Sequence, residues 1–217
     1  MKLSKETQTI IKNFASINTN LLFKPGNVLT TVSGSRTVFA TTPVKEDFPI
    51  EFGIYDLNEF LAVCSVFNDP EFEFNEKYLT IKEGRNSIKF YASEASNLIV
   101  ANKTVAFPES YIDFVLPSDS LSAMLRAAAI LKVVDVSVIG DGSRMYISVG
   151  NKKATTANNT YELELGETDK VFTVNFNIDK FKMLPGTYNV SISQKRVSRF
   201  QNGDLIYYIA IEADSTI

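Results

Sequence analysis

Residues 48–61 read FPIEFGIYDLNEFL, and residues 172–184 read FTVNFNIDKFKML. Each stretch carries a strand into a short helix, and the apolar positions coincide: Ile54, Leu57 and Phe60 match Ile178, Phe181 and Leu184. Working outward from this echo, a helix, a hairpin, a pair of strands, a short helix and a further hairpin occur before about residue 107 and again after it. Self-similarity at a long, fixed period is the mark of a repeated unit. The chain of 217 residues is therefore expected to be α+β, with domains at 1–107 and 108–217 joined by ANKTVAFPESY, residues 101–111.

The hairpins are announced by glycine. Gly34, Gly84, the pair Asp141-Gly142 and the pair Asn202-Gly203 each lie between strand-forming runs. Glycine tolerates the positive φ that tight hairpin turns demand. Four stretches read as helical. Over residues 4–17, Leu3, Thr7, Ile10, Phe14 and Ile17 are expected on one face. In YDLNEFLAVCSVF, Asp56 and Glu59 resemble a capping box. In PSDSLSAMLRAAAIL, Leu121, Met124, Leu125 and Ala128 share a side, with Ser118 or Asp119 as cap. The stretch IDKFKML makes one or two turns before Pro185-Gly186 stops it.

Composition excludes several function classes. The chain has no histidine and a single cysteine, Cys64, which leaves no imidazole or thiolate zinc site and removes the commonest general base. A Gly-rich phosphate loop and a Gly-x-Ser-x-Gly elbow are both missing. The acidic run DPEFEFNEK alternates like an edge strand, so its carboxylates read as solvated rather than as a metal cage. No catalytic residue, metal or cofactor is expected, and the protein is not expected to be an enzyme. No apolar run approaches the ~20 residues of a membrane span. A single thiol is consistent with a reducing cytosol.

Charge placement carries the remaining information. Lys5 and Lys12 stack two turns apart on the first helix, with Gln8 and Ser16, opposite the apolar face. Arg126 opposes Leu121 and Leu125 on the third helix, and Lys180 and Lys182 fall on the fourth. Asp56, Glu59, Asp119 and Asp179 lie in first turns, where the helix dipole accounts for them. Away from the caps the helices are mainly positive, although the net charge is −3. The second helix has no lysine or arginine. So few cations per chain cannot grip a duplex tightly by counterion release. They suffice only if several copies pool them and topology, not affinity, prevents escape.

In MKLSKETQTIIKNFASIN, IYDLNEFL, MLPGTYNV and the closing IAIEADST, the sequence resembles the DNA polymerase sliding clamps of T4-like bacteriophages along essentially its full length. The resemblance implies the DNA-clamp fold: two topologically similar domains, each with sheets outside and two helices inside. It implies a homotrimer closing as a pseudo-sixfold ring around double-stranded DNA, bound without sequence preference. Lys2, Lys5, Lys12, Arg126, Lys132, Lys180 and Lys182 are the expected DNA-facing residues, Lys132 being turned toward the apolar side of its helix end. Ring closure is expected to pair SIKFYAS with NTYELELG of a neighbour, with Phe90, Tyr91, Tyr161 and Leu163 packing across the join. A partner-peptide pocket is expected around Phe107, Pro108, Tyr111, Tyr208 and Ile209. Implied partners are the replicative polymerase, an ATP-driven clamp loader and late-transcription proteins, with no membrane, in the cytoplasm of an infected host. The competing expectation is a monomeric, β-rich protein-interaction or single-stranded-DNA-binding module, hinted at by QKRVSRF and SRFQNGDLIYYIAI.

Overall fold

The computed structural model describes residues 1–101, 105–154 and 158–217. Two compact units meet in sequence at Thr104 and Val105. The first contains α1 (Lys5–Ile17), β1 (Leu21–Phe23), β2 (Gly26–Val32), β3 (Val38–Phe48), β4 (Phe52–Ile54), α2 (Leu57–Cys64), β5 (Glu71–Phe74), β6 (Tyr78–Glu83) and β7 (Asn86–Tyr91). The second contains β8 (Ile112–Leu116), α3 (Ser118–Leu131), β9 (Asp135–Asp141), β10 (Arg144–Gly150), β11 (Tyr161–Glu167), β12 (Val171–Asn177), β13 (Tyr188–Ser193), β14 (Val197–Asn202) and β15 (Leu205–Ala210). In each unit a long helix is followed by four strands, one short helical segment and a three-strand meander. The parallel extends to the opening segments: Lys2 bridges β5 at Glu71, as β8 pairs with β13.

The first helix is fixed at its start. Ser4 caps it, its side chain accepting from the Thr7 N–H at 3.2 Å. Beneath that cap lies Glu46 of β3, a carboxylate only 9% exposed. It accepts from the Ser4 N–H and from the Thr7 hydroxyl. An anion at a helix N-terminus is favoured by the unpaired N–H groups there. Burial pushes the Glu46 carboxyl up, but the Thr7 hydroxyl and the Ser4 N–H outweigh it and hold the group below its ordinary value. The buried face of α1 is Thr7, Ile11, Phe14 and Ile17, so Ile11 replaces the expected Ile10, which is half-buried. Below it, Phe23, Phe48, Phe52, Phe60 and Phe74 pack ring against ring, at centroid distances from 4.5 to 6.4 Å. Ile54 and Leu57 are fully buried there.

The second unit repeats the plan with different chemistry. Its sheet runs β11-β10-β9-β12, and β8, β13, β14 and β15 pair antiparallel in a second array. Pro117 is the N-cap of α3 and supplies no side-chain cap; Ser118 and Asp119 lie inside the first turn, not at the expected capping position. The expected fourth helix is a single 3₁₀ turn, Ile178–Lys180. Of its echo residues only Phe181 is buried, against Phe176 and Phe200. Tyr188 and Tyr207 are buried as well, and they fasten the Pro185-Gly186 segment: the Tyr188 hydroxyl donates to Leu184 O at 2.6 Å and the Leu184 N–H donates to the Tyr207 hydroxyl at 3.2 Å. Among the hairpin turns, Gly84, Gly142 and Gly203 take positive φ as expected, but in the β2–β3 turn Arg36 takes it (φ 56°) instead of Gly34.

A carboxylate whose native pKa is depressed contributes stability above its unfolded value and loses it as pH falls through the native one. Glu46→Gln is therefore expected to lower unfolding free energy by about 1.5–3 kcal/mol at neutral pH. The gap to the parent protein should close as the pH drops below the ordinary Glu value of 4.5. Urea midpoints measured across that range check this; coincident midpoints at neutral pH would refute it.

Candidate functional site

Tertiary structure sorts the expected cations into two groups. Lys5 and Lys12 are exposed on α1, opposite Ile11 and Phe14. Arg126 is exposed on α3, opposite Leu121, Met124 and Ala128. Lys132 ends α3 as its left-handed cap (φ 55°) and is also exposed, rather than turned toward the apolar side. Lys182 is exposed just past the 3₁₀ turn. Two further cations are paired with carboxylates. Lys2 lies outside α1 and pairs with Asp69. Lys180 has a side chain only 15% exposed; it meets Glu212 at 2.7 Å and donates to Ala210 O at 2.9 Å. Its ammonium ties the 3₁₀ turn to the chain after β15, which corrects the expectation of a free cation on a helix face.

The two strands expected to join copies both lie at sheet margins: β7 ends the order β5-β6-β7, and β11 ends the order β11-β10-β9-β12. Phe90 is half-buried and packs edge-on to Phe60 at 5.4 Å, so it serves the core of its own unit in part. Tyr91 is 69% exposed. Tyr161 and Leu163 are half-buried on β11.

Around the expected peptide pocket, Phe107 and Tyr208 do come together, with ring centroids 6.2 Å apart. The guanidinium of Arg199 lies over Phe107 at 4.8 Å and donates to Ser191 Oγ at 3.2 Å. Arg199 was not among the expected residues; its only signal is the alternation in VSRFQ that sets it opposite buried Phe200. Pro108 is half-buried. Tyr111 is occupied by Lys170, whose Nζ lies 4.5 Å from the ring and donates to the Tyr111 carbonyl at 2.6 Å. Ile209 is fully buried and cannot line an open pocket.

A separate cavity of about 220 Å³ lies between α1 and α2, bordered by Leu3, Ile11, Lys12, Phe60 and Cys64. Burial pushes the Cys64 thiol up to about 12, so it is not a nucleophile near neutral pH. Among the described residues no helix is long and apolar enough to cross a membrane.

Residues 4–101 match the family model for the DNA polymerase processivity factor, and residues 113–213 match that for the C-terminal part of the gp45 sliding clamp. The sliding clamp of Vibrio phage KVP40 is 30% identical over 98% of this chain and the whole of that protein. The chain belongs to the sliding-clamp family. The clamps of Escherichia phage RB69 and Enterobacteria phage T4 are each 29% identical over the full chain and 99% of their own length. Solved structures share the clamp fold at low identity. The A. fulgidus PCNA carrying the C-terminal region of FEN-1 superposes with a TM-score of 0.70 at 14% identity, covering 99% of both chains. The S. tokodaii PCNA2–PCNA3 complex gives 0.67 at 15%, covering 99% of this chain and all of that one. The protein is thus a processivity factor for a DNA polymerase: a scaffold, not an enzyme.

The division of the cations predicts a contrast in stability. Lys180→Ala strands the half-buried Glu212 and should cost about 1–3 kcal/mol. Lys12→Ala, on an exposed face, should fall within about 0.5 kcal/mol of the parent. Parallel urea titrations of both variants make the comparison, and equal losses would contradict the assignment.

Proposed function

We propose that three copies of this clamp close head to tail into a ring around duplex DNA and hold the replicative polymerase on its template. Each copy contributes two repeated domains, divided near residue 107. The exposed faces of α1 and α3 turn toward the DNA, and Lys5, Lys12, Arg126, Lys132 and Lys182 meet phosphates. Lys2 and Lys180 are left out because neighbouring carboxylates already hold them. A handful of cations per chain makes the contact weak and blind to sequence, which sliding requires.

The observation that carries this reading is the amphipathic α1. Its buried face is wholly committed to the core, and its exposed face presents Lys5 and Lys12 in a chain of net charge −3. An overall negative exterior keeps DNA from adhering elsewhere. The free margins of β7 and β11 supply the joins between copies. Polymerase and other partners insert a short apolar tail beside Phe107, Arg199 and Tyr208. The A. fulgidus PCNA, alike in fold, is solved with the C-terminal region of FEN-1 bound. An ATP-driven loader opens the ring, late-transcription proteins use the same tail-binding surface, and the work takes place in the cytoplasm of the infected host.

Sedimentation of the purified protein should return the mass of a trimer. A monomer at all concentrations would favour a solitary interaction module instead. Replacing Lys5, Lys12 and Arg126 together by Glu should cut processive synthesis with the loader and polymerase by about tenfold or more while trimer mass is kept. Undiminished product length would remove these residues from the DNA contact.

A further inference from the structure

Two of the strands at sheet margins, β7 and β11, carry opposite charge. On β7 the half-buried positions are Ile88 and Phe90, while Lys89 and Tyr91 point to the solvent side. Lys89 is placed on that outer face, its Nζ 4.6 Å from the ring of Tyr78 on the adjoining strand. On β11 the half-buried positions are Tyr161 and Leu163, while Glu162 and Glu164 are exposed. Glu162 has Arg144 at 3.8 Å, and Glu164 makes no ion pair among the described residues. One edge therefore offers an ammonium between apolar neighbours, and the other offers two carboxylates in the same alternation.

Resting on the ring reading above, we infer that these charges choose both the partner edge and the register of the join. Phe90 lies against buried Leu79 of β6, and Leu163 lies against buried Ile147 of β10. If β7 of one copy pairs antiparallel with β11 of a second copy, the core faces of the two sheets become continuous only when apolar positions meet. Setting Phe90 opposite Leu163 extends the row Leu79–Phe90 into Leu163–Ile147. The same register puts Lys89 opposite Glu164 and Tyr91 opposite Glu162, with Lys89 diagonal to Glu162 and within reach of both carboxylates. A slip by one residue would turn Phe90 against a glutamate and bury charge against the core face. The regular part of β11 ends at Glu164: in the pairing with β10 the register shifts so that Tyr146 faces Glu164 and Met145 faces Gly166, leaving Leu165 unpaired. That bulge bounds the join on one side.

The wrong joins are disfavoured by the same groups. Pairing β7 with β7 would bring Lys89 near its own copy. Pairing β11 with β11 would face Glu162 and Glu164 against two further glutamates. Like charges directly opposed across strands repel. Of these three joins, that of β7 to β11 alone avoids this, and it is heterologous: each copy keeps one β7 and one β11 margin unpaired until rotation closes the ring. The charge pattern thus acts against a twofold dimer and for a closed cycle.

Charge reversal tests the inference, read by sedimentation over a range of concentrations. Lys89→Glu and Glu164→Lys are each expected to raise the concentration at which trimers dissociate by about tenfold or more. The double variant, with the charges exchanged, should recover most of that loss. Cysteine pairs test the register separately in a Cys64→Ala background. Tyr91→Cys with Glu162→Cys should oxidise to covalent dimers and closed trimers, while Lys89→Cys with Glu162→Cys should not. If the parent protein is a trimer but the exchanged variant is no better than the single reversals, or the second cysteine pair closes in place of the first, the pairing proposed here is wrong and the ring stands. If the parent protein is monomeric throughout, the ring reading fails and this inference with it.

Discussion

A strand at the margin of a sheet leaves alternate backbone N–H and C=O groups without partners in its own chain. Two such strands are β7 in the first unit and β11 in the second, each held in place by a well-packed core beneath it. Phe90 anchors β7 against Phe60, and Leu163 lies beside buried Ile147. The edges are therefore rigid enough to be matched by another strand. Everything proposed about the assembled clamp depends on this. A chain with a net charge of −3 and a few outward lysines has little affinity for a polyanion by itself. Joining copies turns those few into a set, and enclosure then replaces affinity.

Cations in this protein do two kinds of work, and burial separates them. Lys180 and Lys152 have side chains 15% and 22% exposed and are tied to carboxylates, Lys180 to Glu212 and Lys152 to both Asp135 and Asp214. Lys170 is spent on the Tyr111 carbonyl. These groups fasten loops and the chain's last segment to the second unit. Lys5, Lys12, Arg126 and Lys132 have the opposite situation: an apolar face holds each helix from behind, and the charged side is left to solvent. Helix amphipathicity thus aims charge without any ion pair to position it.

The two units show how one plan tolerates different local chemistry. In the first, Asp56 accepts from the Asn58 and Glu59 N–H groups at 2.9 and 3.2 Å, and α2 runs to Cys64. In the second, Asn177 plays the capping part for Asp179, yet the helix is over after Lys180. Pro185 lacks an N–H, and the hydroxyls of Tyr188 and Tyr207 take up the Leu184 carbonyl and N–H that a longer helix would have used. The core compensates with the Phe176, Phe181 and Phe200 cluster.

Local chemistry in the sequence determined much of this. The repeat, the lengths of α1 and α3, the turns at Gly84, Gly142 and Gly203, and the exposed face bearing Lys5 and Lys12 all follow from periodicity and side-chain type, which act over a few neighbouring residues. Other features depend on residues far apart in the chain and had no local signal. Glu46 reaches the start of α1 from about forty positions away, and Ile11 instead of Ile10 faces the core because the sheet beneath sets the helix's rotation. Lys180 looked like any lysine on a helix until Glu212 and the Ala210 carbonyl were brought beside it. Ile209 and Tyr208 are adjacent in sequence, yet one is sealed in the core and the other faces Phe107, because a strand sends successive side chains to opposite faces and only the packed sheet says which face is covered.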